Sequence, residues 1–217
     1  MLESHFAMIM RRREPVVLLL VTVGLLILSG IGPTDRLTWA LEVAPVVIGI
    51  PVLLLTWRRF PLTPLLCRLL FIHACILMLG GHYTYAQVPL GFWFQELFDL
   101  SRNHYDRLGH LAQGFVPAIL AREILIRHSP VRGTWWLPVF VTSACLAFSA
   151  FFELFEWWVA LILGMDADAY LATQGDPWDT QWDMFLALVG AIAAQAGLAR
   201  LHDRQIAKLE GEHGRGI

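Results

Sequence analysis

Apolar residues run along this chain in long stretches, separated by short polar or charged breaks, and nowhere alternate with polar ones at the period of a half-buried strand. Six stretches stand out, over 16–31, 37–57, 64–81, 106–126, 135–158 and 183–201, each near the roughly 20 residues a helix needs to cross a bilayer. The pattern predicts an all-α fold, a polytopic membrane bundle of six transmembrane helices. It forms one integral membrane domain over 1–217, with a frayed helical tail over 202–217. In the fifth stretch Trp135 and Trp136 stand at one end and Trp157 and Trp158 at the other, roughly 33 Å apart on a helix, as expected of residues marking two membrane interfaces.

Composition agrees with this reading. Of 217 residues, 57% are hydrophobic and 16% charged, and the mean hydropathy is +0.57. A soluble domain carries roughly a quarter charged residues. A net charge of -2 with Lys208 as the single lysine gives no basic field for nucleic acid, so the expected partners are membrane lipids. Cys67, Cys75 and Cys145 lie in or beside apolar stretches and form no C-x-x-C pair, which argues against a disulfide framework. Arg11, Arg12 and Arg13 precede the first stretch as in a signal peptide, but no small-residue cleavage site follows, so that stretch is expected to be an uncleaved membrane helix.

The basic residues set the expected orientation. With the N-terminus in the cytoplasm, all of the 16 basic residues except Arg36, Arg102 and Arg107 fall on the cytoplasmic side, and six crossings return the C-terminus there. Of the 18 acidic residues, all except Glu3, Glu14, Glu123, Asp203, Glu210 and Glu212 fall on the external half. Acidic charge does not set topology, so this bias needs another cause. Between the third and fourth spans, the 82–105 connection contains an amphipathic piece, 92–100, expected to lie as a short interfacial helix or lid. The last external loop, 164–182, carries Asp166, Asp168, Asp176 and Asp179 around the turn signal Gly175-Asp176-Pro177.

Ionisable groups inside a membrane are costly, and here they gather at one level. His82, Tyr83 and Tyr85 end the third span, and His104, Asp106 and His110 begin the fourth. Glu153 and Glu156 lie near the outer end of the fifth, and Asp176, Asp179 and Asp183 precede or open the sixth. Asp106 and His110 share a helix face at i, i+4, and Glu153 and Glu156 sit at i, i+3. Two unpaired glutamates in so apolar a setting would cost about 2.5 kcal/mol or more each, so a cation, a proton or a metal should meet them. Imidazole and carboxylate on neighbouring helices is how bundle metal sites are built, with donors that suit zinc, iron or manganese. The expected metal ligands are His82, Asp106, His110, Glu153, Asp179 and Asp183. Glu156, as proton acceptor, is a candidate catalytic group together with Asp106 and Arg107. Each position also has a plainer reading: Asp106 as a helix cap or a partner of Arg107 or Arg102, His82 and His104 as interfacial residues, His73 as packing. Glu42 either approaches the cluster or snorkels to water.

The segments Gly81-His82-Tyr83-Thr84-Tyr85, Asn103-His104-Tyr105-Asp106-Arg107-Leu108-Gly109-His110, Glu153-Leu154-Phe155-Glu156-Trp157 and Asp179-Thr180-Gln181-Trp182-Asp183-Met184 resemble the YjdF-like family of bacterial inner-membrane proteins over nearly the whole chain. The resemblance implies an integral protein of the cytoplasmic membrane and brings no established activity with it. A more distant likeness is to VanZ-like proteins, associated with glycopeptide tolerance. Their order of Asp-Lys and His, then Glu, then Asp is similar to Asp106-Arg107 with His110, Glu153 with Glu156, and Asp179 with Asp183. Arg107 replaces their lysine, and Glu-x-x-Glu replaces their Glu-x-x-Gln.

The expected function is a membrane-embedded, metal-dependent hydrolase or headgroup transferase whose pocket faces the periplasmic side of the inner membrane and takes a lipid or lipid-linked substrate. The alternative is a non-enzymatic transporter or a ligand- or ion-binding envelope factor. A transport path would need polar groups continuing to the cytoplasmic side, whereas the sequence concentrates them on the external half.

Overall fold

A computed structural model describes residues 2–163 and 173–213. The expected aspartates Asp166 and Asp168, with the first half of the last external loop and the final four residues, lie outside the described residues. The described chain is helical: α1 (Leu2–Ser29), α2 (Arg36–Thr56), α3 (Pro64–Tyr83), a 3-10 turn (Tyr85–Gln87), α4 (Pro89–Leu97), α5 (Tyr105–His128), α6 (Trp136–Leu163) and α7 (Asp179–His213). The six long helices coincide with the six apolar stretches. Of these, α2, α3, α6 and α7 are long and apolar enough by composition to cross a membrane.

Local chemistry fixes the helix starts. Asp35 caps α2 by accepting the Thr38 N–H at 2.6 Å. Thr63 caps α3 by accepting the Leu66 N–H at 3.3 Å, with Pro64 in the first turn, where its missing N–H costs nothing. The connection from α3 to α4 begins at Thr84, whose φ of +60° is an unusual conformation for a β-branched residue. It turns the chain so that the Tyr85 ring inserts between Gly80 of α3 and Gly109 of α5, where any Cβ would strike it.

The helices form two packed groups. In one, α1 and α2 lie against α3 around Val43, Val46, Ala74 and Met78. In the other, α5 packs on α6 and α7 around Ala118, Ile119, Val141, Cys145, Ala191 and Ala194, and α3 joins the groups by contacting α5. With 13 buried residues α5 is the interior helix, which explains how it tolerates Asp106, His110, Gln113, Arg122 and Glu123. Between α5 and α7 the backbones touch. A Cβ at Gly114 would collide with the Ala187 carbonyl, and one at Gly190 with the Leu111 carbonyl. Such close approach through small residues is typical of helix pairs in membranes.

Two expectations need adjusting. The helix expected to fray from residue 202 continues α7 as far as His213 and is packed, with His202 and Ile206 fully buried. Ile206 belongs to the core that α7 shares with α5, and His202 has polar partners there. The short helix starts at Pro89, earlier than the amphipathic piece suggested, because proline suits a first helical turn. Its Phe92, Trp93, Phe94 and Leu97 are exposed, so its apolar face turns away from the protein.

Candidate functional site

The start of α5 is held from several sides. Asn103 donates to the Val88 carbonyl at 3.0 Å and accepts the Tyr105 N–H at 3.0 Å, and Gly91 leaves room for it. The Tyr105 hydroxyl donates to the Ile76 carbonyl of α3 at 3.0 Å. These bonds fix the first turn, and one turn of helix then stacks Asp106 and His110 on the face that meets α6 and α7.

Three elements converge on His110. Its Nε2 lies 3.5 Å from Asp106 Oδ1 and 4.0 Å from Asp183 Oδ1 of α7, and its Nδ1 lies 3.7 Å from Glu153 Oε1 of α6. One ligand atom each from Asp106, His110 and Asp183 lies within 4.8 Å of the others. His110 is 5% and Glu153 8% exposed, yet among the described residues neither His110 Nδ1 nor Glu153 Oε1 has a hydrogen-bond partner. Buried polar atoms are normally paired, so two facing orphans mark a place where a further group is wanted. Three carboxylates around one imidazole also repel one another strongly where the dielectric is low.

Arg107 bridges from this cluster to the first turns of α7 and the turn before it. It donates to Asp183 at 2.7 Å, to Asp176 at 2.9 Å and to Asp179 at 2.9 Å. Arg102 donates to Asp179 at 2.6 Å and to the Thr173 carbonyl. Two arginines and three aspartates thus cap the end of the site and hold α7 to α5. His104 stands outside the spans at the N-terminus of α5. Partial burial and the positive charges of Arg102 and Arg107 hold its imidazole below the usual 6.5.

Each expected site residue can now be located. Asp106, His110 and Asp183 come together and Glu153 stands beside them. Asp179 lies at the rim but is tied to the two arginines. Arg107 is wholly engaged with aspartates and the Asp179 carbonyl. Glu156 lines a cavity of about 350 Å³ between the two helix groups, together with Asp106 and His110. His82 is not brought into the cluster. Its Nδ1 lies 2.8 Å from the Ser29 carbonyl of α1, a contact that ties α3 to α1.

Glu42 goes into the interior and does not snorkel. It is 5% exposed, lines the same cavity and pairs with the Tyr85 hydroxyl. It is the only charged side chain within the second apolar stretch before Trp57, and that isolation was the signal available in the sequence. A second buried network was not anticipated. At the other end of α5, Glu123 accepts the Thr63 N–H at 3.0 Å, the Thr63 hydroxyl at 2.7 Å and Arg127 at 3.0 Å, and its Oε2 lies 2.9 Å from His202 Nε2. Arg122 pairs with Asp203 at 2.7 Å. Every charge here has a partner, so this network binds α3, α5 and α7 together.

Fold and site define a polytopic helical membrane protein with a histidine and carboxylate cluster buried between helices. Comparison with known proteins identifies the group: the chain belongs to the DUF2238 family, described as a predicted membrane protein, whose profile matches residues 14–204. It is 57% identical over 182 residues to the inner membrane protein YjdF of Escherichia coli (strain K12), a match covering 84% of this chain and 87% of that relative. No solved structure matches it significantly. The family, this relative and the apolar helices make the chain a multi-pass inner-membrane protein. These comparisons lend no support to the VanZ likeness.

Proposed function

We propose that this protein is a metal-dependent hydrolase or headgroup transferase that acts on a lipid or lipid-linked substrate at the outer leaflet of the inner membrane. The observation that carries this reading is the convergence of Asp106, His110 and Asp183 within 4.8 Å, with the orphaned Glu153 oxygen facing the orphaned His110 nitrogen. A divalent ion among Asp106, Asp183 and His110 Nε2 would offset the carboxylate charge, and the ring's other nitrogen, turned to Glu153, would then have a carboxylate to receive its proton and orient it from behind. The imidazole donor favours zinc, iron or manganese over magnesium. Bound there, such an ion would supply a water nucleophile at neutral pH. In hydrolysis Glu156 would take the proton of the water that adds to the headgroup ester and return it to the departing oxygen.

Six crossings, both termini in the cytoplasm and a pocket open to the periplasm follow from the distribution of arginine. The four helices that qualify as spans on length and composition, with α1 and α5 as the remaining two, support that count. A transport path is less well supported. Along α5 itself, between Gln113 and Arg122, Val116, Ala118 and Ile119 are packed with at most 3% exposure, so the two polar groups of that helix are not joined along it.

The test is metal content in detergent-purified protein. About one equivalent, or two, of zinc, iron or manganese is expected in the parent chain, lost in Asp106→Asn and Glu153→Gln variants that remain folded. A folded parent that binds none of these ions would overturn the reading in favour of a hydrogen-bonded network of protonated acids.

A further inference from the structure

The cavity beside the cluster is far larger than an ion requires. It follows the gap between the α1–α3 group and the α5–α6 pair, and at about 350 Å³ it reaches the range of roughly 300–1,000 Å³ typical of small-molecule sites. Its polarity is one-sided. Glu42, Tyr85, Asp106, His110 and Glu156 crowd one end, while the other, reaching Trp57 of α2, Leu62 and Cys67, is hydrocarbon. Thr22, His73 and Gln113 are the polar side chains between. From Glu42 to Trp57 the α2 wall measures roughly 22 Å, longer than the roughly 15 Å of one leaflet of hydrocarbon. Pro45, Leu54 and Phe148 line the cavity and are also exposed on the flank of the molecule, so the gap between α2 and α6 opens sideways, where the membrane's hydrocarbon would lie.

We infer that this cleft holds the single hydrocarbon chain of a lipid substrate whose polar head rests against Asp106 and His110. The inference deepens the proposed function and rests on it for the chemistry at the head. A narrow apolar channel ending at several carboxylates suits an amphiphile with one tail. The head must be neutral, or anionic only with a metal present. Arg107, the arginine that pairs with Asp183 of the cluster, is already shared among Asp176, Asp179 and Asp183, so it is not available to receive a phosphate. The chain therefore binds through the cleft alone, and a phosphate head binds only through a metal.

Gly49 gives a direct handle, because it lines the cavity and a Cβ there meets nothing within 4 Å. A side chain at this position grows into the cleft without disturbing α2. The experiment uses the full chain in detergent and hexadecanol carrying a diazirine at its tail, with cross-links mapped by peptide mass spectrometry. Labelling is expected at cleft residues such as Leu53, Leu70 and Ala74. It should fall roughly tenfold in Gly49→Phe, the equivalent of about two methylenes losing their burial at ~0.8 kcal/mol each. Ile48→Phe, on the exposed flank of the same helix, should leave it unchanged. Gly49→Leu carries the same comparison if the larger side chain prevents folding. Labelling confined to exposed residues such as Ile48 and Leu55, or unaffected by either Gly49 variant, overturns the inference. A parallel arm with hexadecyl phosphate, with and without chelator, separates the two readings. Hexadecanol bound in the cleft with no metal effect on the phosphate would leave the chain site standing and count against the metal. Mass analysis of the lipid that co-purifies distinguishes an acyl from an isoprenyl source.

Discussion

The contact of α5 with α7 sets how far Asp183 lies from Asp106 and His110, so Gly114→Ala should disturb the site without touching any of its polar groups. On an isolated helix this substitution stabilises by about 0.5–1 kcal/mol. Here the added methyl meets the carbonyl oxygen, carbonyl carbon and Cα of Ala187, all backbone, which no change of rotamer can relieve. To regain normal carbon contacts near 3.5–4.0 Å, α7 must retreat by on the order of an ångström along a seam where Ala187, Ala191 and Ala194 are fully buried. Overpacking of that kind costs about 1–3 kcal/mol net. Gly197 on α7 is the control. A Cβ there meets nothing within 4 Å, so Gly197→Ala should keep the small helical gain. Thermal unfolding in detergent, followed by tryptophan fluorescence, should then place Gly114→Ala below the parent chain and Gly197→Ala at or slightly above it. At about 2–4 °C per kcal/mol for a chain of this size, the two variants should differ by roughly 3–16 °C. A Gly114→Ala variant that melts with or above Gly197→Ala, or that leaves the distances between spin labels on α5 and α7 unchanged, would show that this backbone contact does not set the helix spacing.

Other consequences can be read from the remaining contacts. Glu123→Ala removes one partner from a fully buried charge network and should cost about 3–5 kcal/mol, more than Glu123→Gln, as measured by the same unfolding assay. Arg107→Ala should loosen the hold on Asp176, Asp179 and Asp183, detected as faster proteolysis between α6 and α7, and Arg107→Lys should restore only part of it because one ammonium cannot match the fork of a guanidinium. The Asp35 carboxylate, held below 3.8 by the Thr38 amide, contributes stability that is full above that value and lost as the pH falls through the lower, folded value. Asp35→Ala should cost about 1 kcal/mol at neutral pH and flatten this acid dependence in unfolding measured across pH 2–5. Reporter fusions at Gly91 and Gly175 should read as external and those at Pro130 and Gly214 as cytoplasmic, and a reversal at any of the four would break the six-crossing topology.

The helical architecture was legible because apolar stretches long enough to span a membrane admit little else, and all six reappear as helices. The pairing of Asp106 with His110 was legible for a similar reason, since four residues of helix return to one face. That Asp183 joins them was only a shared level in the sequence. The contact itself depends on Gly114 and Gly190, whose role shows only when both backbones are placed. His82 stood at the right level too, but the direction of its ring is set by the α1 terminus at Ser29, and no spacing reveals that. Glu42 admitted two readings because burial of a lone carboxylate depends on its neighbour, and Tyr85 reaches it through the unusual turn at Thr84. Residues Thr63, Glu123 and His202 are 60 to 79 positions apart where they bond, beyond what local pattern can join.

In the proposed function Asp106, His110 and Asp183 hold a divalent ion. X-ray absorption at the zinc edge, on protein purified and equilibrated with one equivalent of zinc, tests it most directly. The expected result is a shell of nitrogen and oxygen at about 2.0–2.2 Å with the scattering signature of one imidazole, and its loss in His110→Ala and Asp183→Asn. Zinc that washes out of the folded parent, a sulfur shell near 2.3 Å, or an imidazole signature that survives His110→Ala would contradict it.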